Sequence, residues 1–249
     1  MELVDFALLA VAGLAAGVIN GIAGGGTMVS FPALLAVGIQ PLAANVTSTV
    51  GIWTGYLGGV GGYRDQLAEQ RGRVRVLGPA AMVGAVGGSL LLLATSEEAF
   101  EALAPALVFA AAGLFAVQPV IRRRTEARRG SVDRPRARQA GIAVSGAYGS
   151  YFGAGLGVLT LAVLGSTSSD DLHSLNGIRA LLSLLINSIA VVVFVVAAPV
   201  DWPAAGTLAV TSLVGGWIGA RTSLRMPPAL LRLVVIALGL AAGIGLLVS

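Results

Sequence analysis

The stretch Asn20-Gly-Ile-Ala-Gly-Gly-Gly-Thr-Met-Val-Ser-Phe-Pro32 decides how this chain is read. An apolar run over 3–22 leads into it and another over 27–39 leaves it, with Gly24, Gly25 and Gly26 between them. The second run is too short to cross a bilayer: about 12 residues at 1.5 Å each cover roughly 18 Å of a hydrocarbon core about 30 Å thick. The arrangement returns in Gly149-Ser-Tyr-Phe-Gly-Ala-Gly-Leu-Gly157, where Gly153-Ala154-Gly155 opens a short apolar run over 154–165. Helices broken at glycine belong to membrane proteins whose freed backbone amides lie inside protein or beside a watery cavity.

The composition points the same way. Of 249 residues, 56% are apolar and 11% charged, against about 25% charged in soluble domains. A soluble fold of this length cannot hide so much apolar surface, which excludes an ordinary soluble enzyme and a disordered chain. The expectation is an all-α, polytopic integral membrane protein. Cysteine is absent, so disulfides, thiolate nucleophiles, Cys-ligated zinc and iron–sulfur clusters are excluded. One histidine, His173, cannot build a His-rich metal site, and all sixteen basic residues are Arg, which removes lysine Schiff-base and P-loop chemistry. No cofactor or metal is expected. The pI near 10.3 does not indicate nucleic acid, because the Arg residues sit in short loops between apolar segments, the footprint of membrane orientation. Glu2 and Asp5 stand where a cleavable signal carries positive charge, so the first apolar run is read as structure.

Ten apolar segments lie between breakers, roughly 3–22, 27–39, 46–63, 76–94, 102–121, 140–152, 154–165, 175–198, 204–222 and 229–248. Eight are near spanning length. Arg64, Arg71, Arg73 and Arg75 occupy the 64–75 loop, eight Arg from Arg122 to Arg138 occupy the 122–138 linker, and Arg221, Arg225 and Arg232 occupy 221–232. The positive-inside rule puts all three stretches in the cytoplasm of a cell whose inner membrane holds the chain. The acidic turn with Glu97, Glu98 and Glu101, and the turn with Asp201, then lie outside. If 3–22 and 27–39 enter and return as a pair, the first half, 1–121, starts outside and ends inside. Beyond the 122–139 linker the second half, 140–249, starts inside and ends outside. Two inverted-topology repeats of about five hydrophobic segments, each with a short re-entrant half-helix after its glycine cluster, are the architecture of many secondary transporters. A shift of about 129 residues overlays Gly17 on Gly146, Gly24 on Gly153, Gly26 on Gly155 and Thr47 on Asn176. Glycines four apart, as in Gly13/Gly17/Gly21 and Gly84/Gly88, are read as close helix-packing faces, through which a homodimer is also an expectation.

The run Asn20 to Pro32, followed by Gly38 and Ala44-Asn-Val-Thr-Ser48, resembles the first signature of the sulfite exporter TauE/SafE family, also called the 4-toluene sulfonate uptake permease family. Gly149 to Gly157, followed by Asn176-Gly-Ile-Arg179, resembles its second signature. The resemblance covers essentially the whole chain. It implies a secondary transporter, an exporter of a small sulfur-containing anion such as sulfite or an organosulfonate. Ala23 stands where the family often has a fourth glycine and Arg179 where it often has Lys; both departures bear on fine substrate choice.

The candidate site starts from Gly24, Gly25, Gly26, Gly153 and Gly155, where a half-helix N-terminus carries partial positive charge suited to an anion. Arg179 is the one basic residue in the apolar run Leu175 to Pro199. An Arg at membrane depth costs at least ~2.5–3.5 kcal/mol and needs a partner or water. Its guanidinium fork suits a sulfite or sulfonate oxyanion; its place near the start of a helix leaves interfacial anchoring or a structural ion pair open. Asn20, Thr27, Thr47, Ser48 and Asn176 offer uncharged contacts, with capping or interhelical bonding as the alternative. Asn187, Trp53, Tyr56 and Tyr151 are read first as packing. Asp170, Asp171 and His173 form either a helix N-terminal cap or a proton relay. No carboxylate lies inside a clear span, and the coupling ion, proton or sodium, stays open. No Ser/His/Asp set or paired intramembrane carboxylate supports an enzyme. The expected mechanism is alternating access around a midplane anion site; the alternatives are a passive anion channel and a non-transporting membrane scaffold.

Overall fold

The computed structural model describes residues 1–22, 24–61, 71–127, 134–168, 170, 172–222 and 228–248. Among them the chain is helical, with no strand. Ten helices are described: α1 (Leu3–Ile22), α2 (Thr27–Ala36), α3 (Pro41–Gly61), α4 (Arg71–Leu93), α5 (Glu97–Ala127), α6 (Pro135–Tyr151), α7 (Leu156–Thr167), α8 (Leu172–Ala197), α9 (Trp202–Thr222) and α10 (Pro228–Val248). Helices α2 and α7 have 10 and 12 residues, the half-length pieces expected after the two glycine clusters. Four helices, α1, α4, α5 and α8, are long and apolar enough to cross a membrane. Arg64, Arg128, Arg129, Arg225 and Asp171 lie outside the described residues.

Described helices extend into the basic stretch from both sides. Helix α5 runs 31 residues and carries Arg122, Arg123 and Arg124 in its last turns, and Pro135 opens α6. Hydropathy falls at Ile121, but arginine is a good helix former, so the backbone ladder continues past the apolar segment. Valine and leucine face outward on most helices: Leu3, Val83 and Val196 are 86, 72 and 84% exposed. Such a surface is stable against lipid and not against water. On α9, exposed Trp202 and Trp217 lie toward opposite ends, and the Arg221 guanidinium stacks 3.9 Å from the Trp217 ring centroid, an amphipathic pair suited to a membrane interface.

Close packing crosses between the halves. Helix α1 packs most extensively on α9 and α4 on α6, while α9 also covers α3 and α4 covers α8. Glycine makes both contacts possible. A Cβ on Gly84 would meet the Ala143 carbonyl and one on Gly88 the Ala147 carbonyl, as one on Gly215 would meet Leu14 and one on Gly219 Val18. The reverse contacts match too: Gly17 faces Ser212 and Gly216, and Gly146 faces Ala81 and Ala85. In both pairs residue numbers rise together, so α1 runs parallel to α9 and α4 parallel to α6.

These contacts sort the helix ends into two groups. At one end Arg73 pairs with Asp170, which also accepts from the Ser168 hydroxyl. There the Thr167 carbonyl accepts the Arg134 backbone N–H at 3.0 Å and Arg138 Nη1 at 3.4 Å, and Thr125 lies against Gly165. At the other end the Asp201 N–H donates to Thr47 Oγ1 at 2.9 Å. Tyr151 there accepts Asn45 Nδ2 on its carbonyl at 2.8 Å, and its hydroxyl lies 3.3 Å from Thr95 Oγ1. The described basic helix ends thus gather opposite the turns that hold Glu97 and Asp201.

Candidate functional site

The break between α1 and α2 is built by Asn20 and Gly24. Gly24 takes φ +70°, a left-handed conformation that glycine adopts without a Cβ penalty, and its N–H donates to the Ile19 carbonyl at 3.0 Å. The next two amides turn back to α1: Gly25 N and Gly26 N donate to Asn20 Oδ1 at 3.0 and 2.7 Å. One buried carboxamide therefore satisfies two of the N–H groups that the start of a helix leaves orphaned. Its other end, Nδ2, is buried and has no hydrogen-bond partner among the described residues.

Arg179 comes to this break from the second half of the chain. It lies in the early turns of α8 and is 2% exposed. Its Nη2 donates to the Ile22 carbonyl at 3.2 Å, and a Cβ on Gly24 would stand 3.1 Å from its Nη1. Gly24 thus leaves room for the guanidinium as well as for the turn. Tyr56 is buried on α3, in the neighbourhood of Asn187 and Arg179. Asn187 Nδ2 donates to the Ser183 carbonyl at 2.9 Å, and Trp53 Nε1 donates to Ser188 Oγ at 2.9 Å. A polar seam therefore continues from Arg179 along the α3–α8 contact.

The second break has the same shape and other chemistry. Gly153 and Gly155 take φ +80° and +77°, and the Tyr148 hydroxyl closes the turn by donating to the Ala154 carbonyl at 2.6 Å. The two breaks meet in the interior. Gly24 faces Gly157, with 3.0 Å between an added Cβ and the Gly157 Cα, and Thr27 Oγ1 would be 3.4 Å from a Cβ on Gly153. Phe31 and Phe152 seal one side edge to face, with centroids 5.5 Å apart.

The structure thus gathers Asn20, Gly24, Gly25, Gly26, Thr27, Gly153, Gly155 and Arg179 around two touching breaks. It places the others elsewhere. Ser48 is one helix away, its hydroxyl 2.6 Å from Ser30 Oγ, which also donates to the Gly26 carbonyl. Thr47 bonds to Asp201 at the acidic end, while Asn176 sits in the early turns of α8, on the side of Asp170. Asp170 is engaged with Arg73 and Ser168, joining the first turn of α4 to the α7–α8 junction. Asp171 and the His173 side chain lie outside the described residues. Ser30, Asn45 and Tyr148 were not singled out in the sequence; Tyr148 alone had a local signal, a ring with a hydroxyl five residues before a glycine turn. Among the described residues no group of three His, Cys, Asp or Glu side chains could hold a metal.

A family model described as sulfite exporter TauE/SafE matches residues 9–246 of this chain. The chain belongs to that family. No curated protein and no solved structure matches it. Membership gives this TauE/SafE protein the role of a sulfite- or sulfonate-type exporter, a membrane transporter rather than an enzyme, and the matched span includes both breaks and Arg179.

Proposed function

We propose that the chain exports a small sulfur-containing anion, sulfite or an organosulfonate, across the bacterial inner membrane by alternating access around the α1–α2 break. The observation that carries this reading is the buried Arg179 of the second half, bonded to the Ile22 carbonyl beside Gly24. Its guanidinium supplies a planar fork for an oxyanion, and the unused Nδ2 of Asn20 supplies a neutral donor on the same turn. Gly25 and Gly26, already bonded to Asn20, frame the site and orient that carboxamide. Thr27, Gly153 and Gly155 form its far wall, Ser48 braces α2 from behind, and Thr47 and Asn176 hold the ends of α3 and α8.

The binding groups are not duplicated. Val50 stands 129 residues before Arg179, and Gly149 stands 129 residues after Asn20. One anion bound asymmetrically between two repeats fits this pattern. The repeats are 1–121 and 140–249, inverted and joined through 122–139. The matched glycine contacts of α1 with α9 and of α4 with α6 support that symmetry. Helices α1 and α2 form a hairpin entering from the acidic end, and α6 and α7 one entering from the basic end, which we place in the cytoplasm. Their tips touch where Gly24 faces Gly157, a close backbone approach that Arg179 flanks.

The test is thermal stabilisation of detergent-purified protein by sulfite, sulfate, thiosulfate, taurine, sulfoacetate and acetate, beside Arg179→Gln. A ligand at a hundredfold its Kd adds about 2.7 kcal/mol. Selective stabilisation by sulfur oxyanions, lost in the variant, is expected; equal stabilisation in the variant refutes the site. In proteoliposomes, saturable sulfite flux with counterflow is expected, and linear flux without counterflow replaces the transporter with a channel.

A further inference from the structure

A second anion-binding feature lies away from the breaks. At the basic end, between the last turns of α5 and the first turns of α10, a cavity of about 250 Å³ is lined by Gln118, Pro119, Arg122, Arg123, Glu126 and Arg232. Three guanidiniums face one carboxylate, and among the described residues none of the three makes an ion pair. The guanidiniums outnumber the carboxylate, so the cluster keeps a net positive charge that favours an anion.

The surroundings say what kind of anion. The same two helices carry exposed apolar side chains on their other faces, Val117 and Val120 on α5 and Leu233 and Val234 on α10, the mark of a lipid-facing surface. A hydrocarbon core takes about 20 helical residues. Counted from Phe100 near the start of α5, that length ends close to Val120, so Arg122 and Arg123 stand at headgroup level. The volume lies below the roughly 300–1,000 Å³ that encloses a drug-sized ligand, but it accommodates a phosphate with its glycerol while the remainder lies outside.

We infer that this cavity binds the phosphate headgroup of an anionic phospholipid, with the acyl chains against the lipid-facing surface of the two helices. Arginine forks recognise a phosphodiester, and basic pockets between membrane helices suit anionic headgroups. The guanidiniums stand at headgroup level, where lipid phosphate is the phosphate at hand, so the lipid is the occupant. The site is independent of the transport reading.

Native mass spectrometry of the full chain in neutral detergent tests it, with phosphatidylglycerol, phosphatidylcholine or inorganic phosphate added. Retention of phosphatidylglycerol at least threefold above phosphatidylcholine is expected, falling to parity in Arg122→Gln/Arg123→Gln/Arg232→Gln and persisting in Arg134→Gln/Arg136→Gln, whose charges lie outside the cavity. Should the triple variant fail to purify, Arg232→Gln alone is expected to halve the preference. Phosphatidylcholine retained equally, a preference unchanged in the cavity variants, or displacement of the lipid by millimolar inorganic phosphate overturns the proposal.

Discussion

Asn20 is where architecture and transport separate most cleanly by substitution. Its Oδ1 holds the Gly25 and Gly26 amides while its Nδ2 is unused within the described structure. Asn20→Leu keeps the branched shape, in a larger side chain, and removes the one oxygen that accepts both bonds. Leaving a buried donor unsatisfied costs about 1–3 kcal/mol in soluble proteins, or about 2–6 for two. Within membranes the unfolded reference finds other partners, and polar interhelical contacts average about 0.6 and reach about 1.7 kcal/mol. The two bonds together are therefore worth about 1–3 kcal/mol here. Asn20→Asp keeps the accepting oxygen but replaces the donor with a carboxylate beside the Arg179 guanidinium. The leucine variant is expected to unfold earlier in a thermal or denaturant series. The aspartate variant is expected to remain close to wild type in stability yet lose stabilisation by sulfite, because its carboxylate both repels the anion and competes for Arg179. A leucine variant as stable as wild type removes the structural part of this reasoning. An aspartate variant that still responds fully to sulfite removes the Nδ2 donor from the site.

Two further outcomes follow from the packing. A Cβ on Gly88 meets the Ala147 carbonyl, with its carbon at 2.7 Å, whereas nothing stands within 4 Å of one on Gly87. Gly88→Ala should cost about 1–3 kcal/mol by overpacking, and Gly87→Ala should be neutral or gain up to about 1 kcal/mol from helix propensity; equal melting of the two variants contradicts the α4–α6 contact. Asp170→Asn removes a partly exposed ion pair with Arg73, so its loss should stay below about 1 kcal/mol and shrink in high salt. A double-mutant cycle with Arg73→Gln reads the pair directly, and zero coupling at low salt denies the contact.

Some of this was legible in the chain itself. Membrane residence follows from hydropathy and scarce charge, and the half-helices from local glycine clusters, because solvent preference and backbone freedom are properties of residues and near neighbours. The shift of 129 residues pairs glycines that both stand at helix breaks, Gly24 with Gly153 and Gly26 with Gly155. It did not predict which residues meet. Thr47 and Asn176 overlay in sequence yet occupy opposite ends. The end of α5 was also misplaced, since hydropathy marks where lipid contact stops and not where helical hydrogen bonds stop.

Tertiary structure alone shows which of the candidate residues come together. Asn20 reads equally as a cap or a ligand until its Oδ1 is seen bonded to two amides and its Nδ2 unused. Arg179 reads as an interfacial anchor or an interior group until it is seen buried, with its Nη2 on a carbonyl 157 residues away. Composition and periodicity record what each residue prefers around it. They carry no record of which distant backbone will fill that surrounding, and at the meeting of the two breaks that choice is made by glycines letting helices from both halves come into contact.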